Sequence, residues 1–325
     1  MYPACEKYVC PDNCQRWKNT GQGHGHLPPR NALSTPWDEV AVDLVGPWTV
    51  EATDGISYEF NSLTCIDPVT NLVELIRVDR KTAEHVGQQF ENAWLSRYPS
   101  PNRCIHDNGG EFLGRDFQAI LTKHSIESVP TTVKNPESNS ICERMHKTIL
   151  DILRVTMRTT TINCEDDAKQ VMDNALATLM HATRCVVNHT MQNSPGEIVY
   201  QRDMFVDVPV IANLEAIRQR RQLIIDQNVR RQNRKRYDHH YRVGDYVMIK
   251  KYDPKKGDER LHGPYPIIET KTNGTVVVNR QPDGYVEDTY NIRKLVPYRG
   301  PEPNDGNYFN YYFQQIEYVD KIILR

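Results

Sequence analysis

Asp43, Asp107 and Glu143 are the residues whose type and placement could do chemistry. Asp43 interrupts the apolar run VAVDLV (40–45). Burying even a neutral polar group costs about 2–7 kcal/mol, so a carboxylate there needs something to offset it. Asp107 follows the apolar approach Cys104–Ile105 in HDNGGEF (106–112), where a buried strand is expected to end. Glu143 falls in the first turns of a long helix starting near Pro136. There it shares a polar stripe with Asn139, His146 and Lys147, opposite Ile141, Met145, Ile149, Ile152 and Leu153. Three carboxylates gathered at one end of a sheet repel one another. A pair of hard divalent cations, Mg²⁺ or Mn²⁺, is the natural reason to hold them together. Two such ions about 3.5–4 Å apart are the arrangement for in-line displacement at a phosphodiester. The bland reading of each acid is a turn, cap or solvated helix residue. Glu111, Asp116, Asp67 and Asp54 compete from turn-like or surface contexts, and composition and period do not choose among them.

The elements that must position these acids are written in the hydrophobic pattern. The run 40–45 is near-continuously apolar, as for a strand covered on both faces. SYEFNSLTCI and LVELIRV flank the turn residues DPVTN and predict an antiparallel hairpin. Thr82 caps a helix whose Val86, Phe90, Ala93, Trp94 and Tyr98 share a face. RCIH is a fourth strand, followed by a short helix near 115–124 and a strand in IESVPTT. An Ala-rich apolar helix covers about 165–188. A basic helix or helical linker covers 214–240, and several short strands beyond it suggest a small β-barrel. The fold class expected is therefore α/β with a small all-β domain behind it.

Composition sets the bounds. A chain of 325 residues, 38% hydrophobic, can bury one large core and a smaller second domain. No run of 18 apolar residues and no leader-like amino terminus is present, so neither a membrane span nor a secretory signal is expected. Eight cysteines, clustered only at 5, 10 and 14, suit reduced, buried thiols better than a disulfide framework. Net charge is only −2, but between Arg218 and Arg242 nine Arg/Lys stand against Asp226 and Asp238.

These motifs resemble the integrase of gypsy-type long-terminal-repeat retrotransposons and retroviruses. WDEVAVDLVGPW is similar to that family's first catalytic strand, HDNGGEF to its second Asp motif and NPESNSICERMHKTILDILR to its Glu-bearing helix. The 35 residues between Asp107 and Glu143 match the family's spacing. The resemblance implies a ribonuclease-H-like core, a mixed five-stranded sheet with helices, in which Asp43, Asp107 and Glu143 hold two Mg²⁺ or Mn²⁺ ions. It implies glycines at 109 and 110 that let the backbone turn sharply and leave room for DNA, with Glu111 at the rim. YRVGDYVMIKK, HGPYPIIETKTNGTVVVN and YNIRKLVPY resemble the family's carboxy-terminal domain, a Src-homology-3-like barrel that contacts DNA. Arg230, Arg231, Arg234, Lys235 and Arg236 ahead of it fit phosphate binding, and Asn139, His146 and Lys147 would hold the element's DNA end.

The implied organisation is a truncated zinc module (1–20), a linker (21–36), the core (37–200), a basic helical linker (201–240), the barrel (241–299) and a tail (300–325). Cys10 and Cys14 resemble half of the family's zinc-ligand set, and IEYVDKIILR resembles the opening of a chromodomain, a route to chromatin contact. The function implied is trimming of element DNA 3′ ends and their joining to target DNA. The agent would be a homo-oligomer, at least a dimer, in the nucleus after passage through a cytoplasmic virus-like particle. The alternatives are another ribonuclease-H-like nuclease or transposase, or an element-derived DNA-binding protein without activity.

Overall fold

The computed structural model describes residues 15–17, 21–33, 35–53, 55–131, 151, 154–155, 161–252, 254–280 and 287–300. The chain forms two compact units, Arg30–Gln227 and Met1–Pro29 with Asn228–Arg325.

The first unit is built on a five-stranded sheet. Its strands are β1 (Glu39–Glu51), β2 (Ser57–Ile66), β3 (Val73–Val78), β4 (Arg103–His106) and β5 (Glu127–Pro130), in the order β3-β2-β1-β4-β5. β1, β2 and β3 pair antiparallel; β4 and β5 join in parallel. The run 40–45 continues as strand to Glu51 through a bulge between Val45 and Trp48. There Gly46 takes φ +123, and a Cβ would lie 2.7 Å from Phe60 O. The β2–β3 turn is held by buried Asp67, which accepts from Val69 N at 2.9 Å, Thr70 Oγ1 at 2.8 Å and Thr70 N at 3.3 Å. Burial pushes its carboxyl above the ordinary aspartate range, against the pull of these hydrogen bonds. Asp67 is thus a turn-forming acid, which removes it from the chemical candidates.

Strand alternation splits the core in two. Val40, Val42, Leu63, Cys65 and Cys104 face one side with Phe90, Trp94, Phe112 and Phe117. Those aromatics come from α1 (Ala83–Phe90) and its π-helical extension Glu91–Leu95, α2 (Gly110–Leu113) and α3 (Arg115–Lys123). Thr82 caps α1 as expected, accepting from His85 N at 3.3 Å. Ala41, Val45, Ile66, Val73 and Leu75 face the other side, covered by Ala168, Met172, Leu176 and Leu179 of α4 (Glu165–Cys185). A further helix, α5 (Pro195–Tyr200), is not apparent from hydrophobic period. Its signal is the capping box of Ser194 and Glu197, with Pro195 opening the helix. Of the cysteines in the described residues, Cys65 and Cys104 are buried free thiols, whereas Cys164 is exposed and Cys185 half-buried.

The α1–α3 contact leaves no room for a methyl group. A Cβ on Gly114 would lie 2.4 Å from Ala83 Cβ and 3.0 Å from Gly110 O, whereas one on Gly110 would meet nothing within 4 Å. Gly114→Ala is expected to cost about 1–3 kcal/mol by overpacking. Gly110→Ala should stay within about 0.5 kcal/mol of the parent. Urea unfolding followed by tryptophan emission checks the contrast.

The helix α6 (Leu214–Asn233) ends at Asn233, so residues 234–240, expected as helix, lie beyond it. Its first half is tied into the same unit. Arg221 donates to Pro68 O at 3.0 Å, and Arg220 to Thr190 O at 3.0 Å and Met191 O at 2.6 Å.

The second unit is an antiparallel sheet of β6 (Tyr246–Lys250), β7 (Leu261–Thr270), β8 (Thr275–Asn279), β9 (Glu287–Asn291) and β10 (Leu295–Pro297). Its order is β9-β8-β7-β6-β10, closed around Val247, Ile249, Ile267, Val276, Val278 and Leu295. Leu27 belongs to this cluster. Residues 21–36 are expected as a linker, and the structure corrects that for their first part. Leu27 N donates to Asn233 Oδ1 at 2.8 Å, Asn233 Nδ2 returns a bond to Leu27 O, and Gly23–His24 pairs with Arg236–Tyr237. A segment without period of its own gains order here by filling a gap in the barrel.

Candidate functional site

The site starts from the register of two strands whose paired residues lie 64 apart in sequence. Val40 pairs with Cys104 and Ala41 with Ile105 in parallel. Asp43 lies two residues past Ala41, and Asp107 two past Ile105. Extending that register brings both acids to the same level, with Asp107 one residue past the end of its strand. By alternation they share the face of Ala41 and Val45 rather than that of Val42 and Cys104. Asp43 is half-buried and Asp107 exposed, one residue beyond the end of β4.

The turn after Asp107 is held at three points. Asp107 Oδ1 accepts from Gly109 N at 2.9 Å, His106 Nδ1 contacts Asp107 O at 2.6 Å and Asn108 Nδ2 donates to Thr131 O at 3.2 Å. The glycines act differently from expectation. Gly109 sits at φ −61, ψ 141, open to any residue, and neither Gly109 nor Gly110 takes a left-handed φ. A Cβ at Gly109 would instead lie 2.9 Å from both Asp107 Oδ1 and Glu111 Oε1. The missing Cβ leaves space for the Asp107 and Glu111 carboxylates on either side of the glycine. Glu111, expected at the rim, thus brings a second acid to the Asp107 turn.

The remaining candidate residues divide cleanly. Glu143, Asn139, His146 and Lys147, with Cys10 and Cys14, lie outside the described residues, as does Asp54. Arg230, Arg231, Arg234 and Lys235 are exposed. Arg236 is half-buried, and its guanidinium donates to the carbonyls of His24 and Gly25, and to Ile292 O at 3.2 Å. Burial lowers its pKa. Arg236 is therefore a structural clamp of the barrel unit, a correction to its reading as a DNA contact. His106 is a functional candidate that sequence reasoning missed. Its signal is a histidine in the last buried position of a strand, beside an acid.

Among the described residues no group of three or more His, Cys, Asp or Glu converges as a metal site. The two described carboxylates still fit a hard divalent cation. They offer oxygen donors on one face of the central strands, and with one Asp107 oxygen engaged by Gly109 N the other can serve as a ligand.

No protein-family model matches the chain. It is 30% identical over 125 residues, 37% of its length, to a retrovirus-related Pol polyprotein from transposon TNT 1-94 of Nicotiana tabacum, of which it covers 9%. It is 25% identical over 224 residues, 64% of its length, to the Gag-Pol polyprotein of Gibbon ape leukemia virus, of which it covers 13%. The chain thus spans about a tenth of the length of the curated relatives it matches. In fold it is similar to a chain of the simian T-cell lymphotropic virus intasome, solved by cryo-electron microscopy in complex with PP2A regulatory subunit B56 gamma. That match has a TM-score of 0.60, 13% identity and 93% coverage of both chains. The sheet order, the helices on both its faces and the antiparallel barrel define a ribonuclease-H-like α/β core with a Src-homology-3-like domain. In sequence the chain is similar to part of the Pol polyproteins of a plant transposon and a retrovirus, and in fold to a chain of a retroviral intasome.

Proposed function

We propose that this chain is a retrotransposon integrase, a divalent-metal-dependent polynucleotidyl transferase that trims element DNA 3′ ends and joins them to target DNA. The observation that carries the reading is the parallel β1–β4 register, which brings Asp43 and Asp107 to one level and one face. Glu143 stands at the family's spacing from Asp107 and completes the set by sequence. When bound, two Mg²⁺ or Mn²⁺ ions would supply Lewis-acid stabilisation of an in-line displacement at phosphorus. Asp43, Asp107 and Glu143 would hold them. Water is the nucleophile in trimming and the element's 3′-hydroxyl in joining; the displaced 3′ oxygen leaves on the opposite side. No covalent intermediate with the protein is needed.

Arg230, Arg231, Arg234 and Lys235 bind DNA phosphates in this reading, and Asn139, His146 and Lys147 hold the element end. Assembly as at least a dimer, action in the nucleus, zinc at Cys10 and Cys14 and chromatin contact through the tail complete the proposal, on the family resemblance. Replacing Arg230, Arg231, Arg234 and Lys235 together by Ala should flatten the salt dependence of DNA binding. The slope of log K against log salt should fall by about 0.9 for each phosphate that is no longer neutralised. Fluorescence anisotropy across a salt series measures it, and an unchanged slope would remove this segment from the DNA interface. Strand joining of short duplexes in Mg²⁺ or Mn²⁺ tests the activity. Metal-dependent products that need Asp107 support the integrase; salt-sensitive binding without products supports a DNA-binding protein instead.

A further inference from the structure

His106 is fully buried, with its ring between Phe112 and Phe117 at centroid distances of 5.6 and 6.2 Å. Both ring nitrogens are engaged. Nδ1 lies 2.6 Å from Asp107 O and Nε2 lies 2.8 Å from Ser128 Oγ. Ser128 Oγ in turn receives Gln118 Nε2 at 3.0 Å, and that amide also donates to Phe112 O at 2.7 Å. The chemistry of the ends sets the direction of the chain. A carbonyl oxygen only accepts, so Nδ1 carries a proton and donates to Asp107 O, while Ser128 Oγ, itself held by the Gln118 amide, engages Nε2.

We propose that His106 is a positioning residue for Asp107. A relay from Gln118 through Ser128 and the His106 ring fixes the Asp107 carbonyl, and with it the direction in which the carboxylate leaves the end of β4. The inference rests on the reading of Asp107 as a ligand of the divalent ion. Asp107 lies beyond the last laddered residue of its strand, so the sheet does not orient it. The groups that do are the Gly109 amide on its carboxylate and the His106 ring on its carbonyl. Phe112 and Phe117 pack the ring, and Ser128 fixes its rotation, so the donor arrives pre-set.

The test uses the full chain and Mn²⁺ as probe, with three substitutions that separate packing from hydrogen bonding. His106→Phe keeps the aromatic volume without a donor. His106→Asn places an amide N–H near the Nδ1 position, and His106→Gln places one near Nε2. Mn²⁺ affinity by calorimetry and strand-joining turnover should fall about tenfold in the Phe and Gln variants. The Asn variant should stay within about threefold of the parent, and the KM for DNA should not move in any of them. Nitrogen-resolved NMR of the parent should show a proton on His106 Nδ1. Equal damage in all three variants, or none, would overturn the proposal, as would an Nε2–H tautomer. Asp107→Asn separates the two layers. If it binds Mn²⁺ as the parent does, the ligand reading fails and the positioning role falls with it. If it loses Mn²⁺ while His106→Phe does not, only the positioning role fails.

Discussion

Asp107→Asn should abolish metal-dependent strand joining and leave the fold in place. The substitution keeps the shape of the side chain, and its amide oxygen can still accept from Gly109 N, which is 2.9 Å from Asp107 Oδ1. What it removes is the negative charge just past the end of β4, at the level to which the parallel register carries Asp43. A divalent ion acting as Lewis acid would supply several kcal/mol of transition-state charge stabilisation, and in the proposed reading it would lose one of its ligands here. A loss of at least about a hundredfold in turnover is therefore expected, equivalent to about 2.7 kcal/mol of barrier. DNA binding, proposed to run through exposed Arg230, Arg231, Arg234 and Lys235, should persist, so affinity and turnover separate. A variant that joins strands within about threefold of the parent would sink the assignment of Asp107 to the reaction.

The second large effect concerns stability. Glu74 on β3 is 4% exposed and sits in a cluster that ties α4 to the edge of the sheet. Arg184 Nη2 donates to Glu74 Oε1 at 2.6 Å, the Tyr98 hydroxyl donates to the same oxygen, and Arg97 lies 3.9 Å from Oε2. Burial, with the hydrogen bond to Glu74, pushes the Tyr98 phenol above its ordinary value. Glu74→Ala leaves Arg184 half-buried without its carboxylate and Tyr98 without its acceptor. Removing one partner of a buried pair costs about 3–5 kcal/mol. For a unit of this size that lowers Tm by about 10 °C. Trp37, Trp48 and Trp94 all lie in this unit, so tryptophan emission reports its unfolding. The double variant Glu74→Met, Arg184→Leu should recover part of the loss, because apolar replacement of a buried pair is often neutral. A Glu74→Ala loss below about 1 kcal/mol, the worth of an exposed pair, would show that solvent already screens the cluster.

Much of this architecture is legible in the sequence. The strand Arg103–His106, the β2–β3 hairpin and the Thr82 cap sit where alternation, turn residues and capping chemistry put them. The strands of the barrel are legible for the same reason, since Gly, Pro and Asn mark its turns. Helix α5 is legible only through its cap, because six residues are too few for a helical period to stand out.

Local pattern reports which face of a segment is buried, not what covers it. The sequence by itself therefore determined the kinds of element, the candidate acids and the Asp107–Glu143 spacing, all of which are local chemistry or counting. That Asp43 and Asp107 come to one level was settled only in the folded chain, because a parallel pairing between residues 64 apart leaves no local trace. Tertiary structure also decided that Arg236 clamps carbonyls while Arg230, Arg231, Arg234 and Lys235 face solvent. A guanidinium reads the same in sequence whether water or three backbone oxygens surround it. Likewise Gly109 reads as a turn residue, and only the two carboxylates converging on its missing Cβ show that it is there for space.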